Sequence, residues 1–306
     1  MASCVAQRCP QKPRPHNQRV GVGARLSSRG VGVHENRDNT MNPLDQPPSS
    51  VYHYPRYYAI GYQWNTKAEC DFLEACATTF MGRKAISVLD IGCGAGRHLL
   101  ELAKRNYRMS GFDLRPEMVA FVKEEAQKSG LQIAVRVGDL RQPPVDGTFD
   151  VAICVMDTFR FLLTNTEIID HLQHIGKHLS AGGLYVTDFW IPARWDQMAN
   201  EIYQWEQTRE ETTVRVFYLQ HPESVDPVSQ TFEDELVFEV NDAGQTKTIH
   251  GERTRTRLIM PQEFGALVQA SGVFELVGAF ADFDLEKPLE PSCISWRMIS
   301  VLRKRS

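Results

Sequence analysis

Eleven consecutive residues constrain this chain more than any others: Val88-Leu89-Asp90-Ile91-Gly92-Cys93-Gly94-Ala95-Gly96-Arg97-His98. Residues 88–91 form a short apolar run that stops at a glycine, the pattern of a buried strand. Glycines then occupy alternate positions, and Leu99, Leu100, Leu102 and Ala103 resume at helical spacing. The pattern is strand, tight turn, helix. Glycine is needed where the backbone turns sharply, or where a ligand presses on main chain with no Cβ in the way. The helix beyond aims free N–H groups at whatever sits in the turn.

Two nucleotide-type patterns compete for this turn. A dinucleotide fingerprint wants G-x-G-x-x-G with a pyrophosphate on the helix N-terminus. This chain has G-x-G-x-G, with Asp90 two positions before the first glycine. A carboxylate there repels a pyrophosphate and attracts an ammonium group. Asp113 falls at the expected end of the next strand, suited to a ribose diol, and Asp139 at the end of the strand after that. A cofactor with a ribose, an adenine and an amino-acid tail, but no phosphate, fits three acids better than a dinucleotide does.

Residues 88–96, Asp113, Asp139 and the run Phe149-Asp150-Val151-Ala152-Ile153-Cys154 together resemble the class I S-adenosylmethionine-dependent methyltransferases. The resemblance runs over residues 51–305. A glycine-rich turn in some other α/β protein is the alternative. The resemblance implies S-adenosyl-L-methionine as cofactor. Matched onto this sequence, it would be held by Tyr58, Asp90, Gly92, Cys93, Gly94, Gly96, Asp113, Leu114, Asp139, Leu140, Val155 and Met156. No metal is expected.

Length and composition narrow the class. At 306 residues, 42% hydrophobic and 24% charged, the chain suits one large globular domain or a domain with an insertion. No apolar run approaches the ~18 residues of a membrane span. Seven cysteines, odd in number and without a CxxC, read as reduced thiols and a cytoplasmic location. Net charge is −4, yet residues 1–40 carry seven Lys/Arg against two Asp/Glu, so the body is acidic. That discourages a nucleic-acid partner. Residues 1–50, rich in Arg, Gly, Pro, Ser and Asn, are expected to be a disordered tail. An organelle-targeting peptide, an extension upstream of a true start at Met41, and a plain tail are its three readings.

Residues 51–64 are unusually aromatic, with Tyr52, Tyr54, Tyr57, Tyr58, Tyr62 and Trp64. Either they pack as a hydrophobic lid, or the lid also covers the reacting centre, where a π face satisfies a sulfonium. The resemblance favours Tyr58, then Tyr62, for the methionine end of the cofactor. An amphipathic helix over 66–80, capped by Asn65, should follow. Strands at 88–91, 108–112, 133–137, 151–155 and 184–188 then alternate with helices starting at 97, Pro116 and a Thr164/Glu167 capping box. Gly182-Gly183 is expected to end the last of these helices.

The alternation predicts an α/β fold with a doubly wound, mostly parallel sheet. Residues 274–280 and 298–303 complete it to seven strands as an antiparallel hairpin. Residues 191–260 break the pattern and read as an antiparallel insertion of about three strands on the substrate side. The methyltransferase domain is thus 51–305, with 191–260 as its insertion. His171, His174 and His178 form one helical stripe, expected to be a solvated flank rather than a metal site.

Methyl transfer from a sulfonium to a neutral amine needs alignment and exclusion of water, not a strong base. The chain shows neither the Asn/Asp-Pro-Pro-aromatic motif nor the Pro-Cys nucleophile of base-modifying enzymes; that place reads Val155-Met156-Asp157-Thr158-Phe159. The stretch 153–159 is similar to glycine and amino-sugar N-methyltransferases. Glycine enzymes, however, carry Asn at the position of Asp157 and a carboxylate-binding Arg near that of Trp190. Asp157, Asp188 and Trp190 are therefore expected to line a pocket for an amine, with Asp188 and Trp190 as purely structural residues the competing account. Tyr58 and Tyr62 are the candidate catalytic residues. Expected partners are a small-molecule substrate and at most a second copy of the chain. A protein or RNA methyltransferase docking its substrate on the insertion, and a cofactor-binding regulator without chemistry, are the other two classes.

Overall fold

The computed structural model describes residues 50–191, 203–291 and 295–305. The expectations for the tail before residue 50 lie outside them. The order of elements in the core is β1 (Ser87–Ile91), α3 (Arg97–Lys104), β2 (Arg108–Asp113), α4 (Pro116–Lys128), β3 (Ile133–Val137), β4 (Phe149–Cys154), α5 (Asn165–Lys177) and β5 (Leu179–Trp190). They are preceded by α1 (Pro55–Gly61) and α2 (Thr66–Cys76), and followed, after an insertion, by α6 (Pro261–Ser271), β11 (Phe274–Phe280) and β12 (Arg297–Lys304).

The main sheet has seven strands in the order β11-β12-β5-β4-β1-β2-β3. β1 pairs in parallel with both β2 and β4, while β12 runs antiparallel to β5 and β11. The strand order reverses beside β1, so the ligand crevice of such a sheet falls at the carboxyl ends of β1 and β4. All five residues of β1 are buried, the polar Ser87 and Asp90 among them, as in a central parallel strand. One core joins the sheet to α2, α3 and α4 through Leu73, Leu99, Val122 and Val186. The other joins it to α5 and α6 through Leu89, Leu172, Ile175, Tyr185 and Phe264.

Several local expectations are corrected. The Thr164/Glu167 capping box is present, but α5 ends at Lys177 with His178 as its C-cap. Gly182 sits instead in β5, where a register shift opposite Phe149/Val151 lets the strand begin at Leu179. Asn65 stands at the N-cap of α2 in the left-handed region (φ 57) with no side-chain cap bond. α2 then passes into one wider helical turn, Ala77–Met81. His171 is not solvated: it is 0% exposed, bonded through Nδ1 to the Leu140 carbonyl (2.7 Å) and through Nε2 to the Tyr185 hydroxyl (2.8 Å). Because a carbonyl only accepts, Nδ1 carries the proton and Nε2 accepts from tyrosine. Burial holds this imidazole neutral, pushed down to about 4.

The insertion forms a second sheet of five strands rather than about three. These are β6 (Tyr203–Arg209), β7 (Thr212–Asp226), β8 (Thr231–Asp242), β9 (Gln245–His250) and β10 (Thr254–Arg257). The stretch 247–258 divides at Gly251, whose amide donates to the Leu236 carbonyl (2.7 Å). A Cβ at Gly251 would stand only 2.6 Å from that oxygen, and on either side of this break β9 and β10 both pair with β8. Among the described residues no helix is long and apolar enough to cross a membrane. Cys70, Cys76, Cys93 and Cys154 are buried free thiols.

Candidate active site

The turn after β1 is stitched to the end of β2. The Gly94 amide donates to Asp113 Oδ2 (2.8 Å), and the Arg115 amide donates to Oδ1 (2.9 Å). The Cys93 amide bonds the Phe112 carbonyl (3.0 Å). Asp113 is thereby fixed with its remaining lone pairs free to accept from a ligand. Gly92 and Gly96 are small for packing: a Cβ would overlap Thr158 at the first, and stand 2.6 Å from a Val122 methyl at the second. At Gly94 (φ 51) a Cβ would meet only the edge of Tyr58, at 3.4 Å. Leu114, next to Asp113, is 54% exposed, an apolar surface beside the ribose-type acid.

Asp90 is 2% exposed and its Oδ2 has no partner among the described residues. Burial pushes its carboxyl up to about 7, against the pull of Arg97. Asp139 is placed differently. Its Oδ1 accepts the Arg141 amide (2.8 Å), and the Arg141 guanidinium joins it to Glu167 and to the Phe161 carbonyl. This acid is occupied at the surface. Leu140 is held from behind by the His171 bond already described.

The aromatic segment is a lid that packs on the insertion. Tyr58 stacks on Tyr62 (4.4 Å between centroids, 18° between planes), Tyr62 on Trp64 (5.5 Å), and Trp64 meets Trp205 edge-on (5.2 Å). Val214, Val216, Phe238 and Val240 supply the floor. Trp205 Nε1 donates to the Gly61 carbonyl (2.8 Å), and the Tyr57 hydroxyl to Asp242 (2.9 Å). Burial raises the Tyr58 and Tyr62 hydroxyls well above the ordinary phenol range, so both stay protonated.

The end of β4 is strained. Met156 and Asp157 take positive φ (62 and 66), unusual for side-chain-bearing residues and often a mark of functional sites. Val155 is buried just before them. Asp157 Oδ1 accepts the Trp190 amide (2.6 Å), its Oδ2 pairs with Arg160 (2.7 Å), and its own amide donates to Asp188 (3.3 Å). Asp188 is buried against Arg297 (3.5 Å), and burial pushes its carboxyl up to about 6. Asp157, Asp188 and Trp190 are brought together as expected, but two of them face inward: Asp188 and Trp190 are 3% and 8% exposed.

The methyltransferase domain family matches residues 88–183, the stretch holding this turn, Asp90, Asp113, Asp139 and the strained end of β4. Residues 88–183 thus carry a methyltransferase domain. The chain is 27% identical over 110 residues to the dTDP-4-amino-2,3,4,6-tetradeoxy-D-glucose N,N-dimethyltransferase of Saccharopolyspora spinosa, 36% of this chain and 43% of that one. It is 30% identical over 116 residues to the cypemycin N-terminal methyltransferase of a Streptomyces species, 38% of this chain and 46% of that one. The chain thus spans less than half the length of these curated relatives. The sugar N-methyltransferase of Streptoalloteichus has the same fold, with a TM-score of 0.63 at 19% identity, over 92% of this chain and 100% of that one.

The residues around this turn fit S-adenosylmethionine. Gly94 presents main chain with no Cβ beneath Tyr58, Asp113 is held ready for a diol, and Asp90 is a buried carboxyl whose Oδ2 lacks a partner among the described residues.

Sequence reasoning missed two buried ionic clusters. Glu69 binds Arg97 at a very short distance and His98 at 2.7 Å, while Arg97 also reaches the Trp64 carbonyl (3.0 Å). Burial works against the Glu69 charge, but the His98 hydrogen bond and the Arg97 charge bring its carboxyl down to about 2. This cluster ties lid, α2 and turn together. The second centres on Arg160, 0% exposed, which donates to the Arg257 carbonyl (2.8 Å) and Thr256 (2.7 Å) besides Asp157. Its guanidinium lies over Phe232 (5.0 Å) and Trp190 (5.5 Å). The one signal in the sequence was a lone cation inside the apolar run Phe159-Arg160-Phe161-Leu162.

Proposed function

We propose that this protein transfers the methyl group of S-adenosylmethionine to the nitrogen of a small-molecule amine. S-adenosylmethionine supplies, when bound, a methyl group on a positively charged sulfur. The chain's own residues have the tasks of binding, alignment and exclusion of water. Asp113 takes the ribose hydroxyls, Leu114 and Leu140 flank the adenine, and Asp139 reaches it when Arg141 yields. Tyr58 and Tyr62 close over the methyl donor. Asp157 faces the acceptor, with the Trp190 amide and Asp188 fixing its orientation.

One observation carries the reading. The lid and the turn meet: Tyr58 lies 3.4 Å from where a Cβ on Gly94 would stand, and the Gly94 amide donates to Asp113 Oδ2 (2.8 Å). Aromatic rings and carboxylates beside one turn suit a cationic donor and an amine acceptor. The relatives support this, since two of them are named for an amino sugar and for an N-terminus, which share an amino group. A nucleic-acid acceptor is disfavoured by the insertion's Glu206, Glu210, Glu211, Glu233, Glu235 and Glu239.

Incubation of the full chain with methyl-labelled S-adenosylmethionine and a metabolite extract tests the proposal. Label on the nitrogen of a small amine supports it. Label only on protein or RNA, or no label at all, would overturn it.

A further inference from the structure

The insertion sheet presents one face to the catalytic core, and that face changes character along its length. On β7 the buried positions Val214 and Val216 alternate toward Tyr218 and Gln220, and on β8 Val240 and Phe238 lead to Leu236 and Asp234. The strands pair Val216 with Phe238, Tyr218 with Leu236 and Gln220 with Asp234. The apolar end of this face lies under the lid. The polar end continues beyond it, toward Arg160, Phe232 and Trp190.

Two features of the polar end point to a ligand. The Tyr218 hydroxyl (2.5 Å) and the Thr256 hydroxyl (2.9 Å) both donate to Asp234 Oδ2, and Arg160 stands 3.9 Å away, so the carboxylate is rigidly oriented. Beside it, both polar atoms of the Gln220 amide are inaccessible to solvent and without a hydrogen-bond partner among the described residues. Folded proteins seldom leave a buried amide unpaired on both sides, and such groups mark places completed by something else.

We propose that Gln220 and Asp234 are the acceptor-binding residues of the insertion, and that they select an amine bearing hydroxyl groups: Gln220 pairs with a hydroxyl, and Asp234 accepts an N–H of the amine. This rests on the amine-methylation reading above and adds to it the residues that choose the substrate. A side-chain amide donates and accepts at once, as a hydroxyl does, so the two form a matched pair. A site built to pair with a hydroxyl also rejects an analogue lacking one, because its own polar atoms are then left unpaired.

The test uses the full chain saturated with S-adenosylhomocysteine and two amines of one ring size: cyclohexylamine and a polyhydroxylated aminocyclitol. By calorimetry the wild type should bind the aminocyclitol at least about tenfold more tightly. Gln220→Leu should bring that preference to within about twofold, while melting no lower than wild type, since it removes an unpaired amide. Gln220→Met is the second variant if leucine does not fold. Asp234→Asn should weaken both amines. A wild type without preference, or a Gln220 variant that keeps it, would overturn the assignment. Methyl transfer to the same two amines separates the proposals: binding with the expected preference but no transfer counts against amine methylation alone.

Discussion

Tyr58 stands directly over Gly94, its ring edge 3.4 Å from where a Cβ on that glycine would lie. The contact joins the lid to the only one of the three turn glycines whose missing side chain opens toward the crevice rather than toward packed neighbours. It also explains why the aromatic segment is closed: Tyr58 stacks on Tyr62, which anchors to Trp205 of the insertion.

If this lid aligns the methyl donor, the Tyr58 hydroxyl should matter to turnover and not to folding. Tyr58→Phe is expected to lower kcat roughly tenfold, an effect typical of one lost orienting contact. The melting temperature should stay within about a degree, because ring burial is unchanged. Steady-state kinetics beside a thermal melt reads both. Full activity in both Tyr58→Phe and Tyr62→Phe would reduce these tyrosines to packing.

Asp90 should make stability and cofactor affinity depend on pH in opposite directions. In the ligand-free chain its carboxyl titrates near 7, above the unfolded value of 3.8. The unfolded chain therefore ionises first as pH rises, and folding loses stability between about pH 4 and 7, by at most ~4 kcal/mol. Asp188, raised to about 6, adds in the same direction, whereas Glu69, lowered to about 2, has its window below this range. Asp90→Asn should thus raise the melting temperature at pH 8 by several degrees and change little at pH 4. Over the same window, affinity for the cationic cofactor should climb in the wild type and flatten in the variant. A variant that melts lower at pH 8 would contradict this account.

Arg160 is a buried cation that joins core and insertion. Removing it leaves Asp157 and Asp234 facing each other's charge without compensation, which costs about 3 kcal/mol or more. Arg160→Met should show that loss in denaturant melts, and Asp234→Asn in the same chain should restore part of it. A loss below about 1 kcal/mol would show that Arg160 is dispensable to the join.

The parallel half of the fold was legible because each of its strands and helices carries its own local pattern. The run 88–91 is wholly buried, Thr164 caps through Glu167, and Pro116 opens α4. Where two local signals competed, the tertiary register decided. Gly182-Gly183 looks like a helix stop, yet it lies inside β5, in the register shift between the pairs Phe149–Leu179 and Val151–Leu184. The histidine stripe looks amphipathic, yet His171 turns inward because Tyr185 and the Leu140 carbonyl satisfy both its nitrogens. The clusters around Arg160 and Glu69 were hidden for a different reason. Their partners lie 97 and 28 residues away along the chain, at Arg257 and Arg97, and spacing in a single sequence says nothing about pairs so distant. β6 escaped notice because its strand is half exposed and only Trp205 and Tyr203 suggest alternation.

The central claim is that the turn of Gly92–Gly96 and Asp113 holds S-adenosylmethionine, and calorimetric titration of that cofactor into wild type and Asp113→Ala tests it most directly. The wild type should bind at micromolar affinity, and the variant at least about tenfold more weakly, through loss of charge-assisted hydrogen bonds to the ribose. The same affinity in both proteins, or no binding in either, would contradict the account.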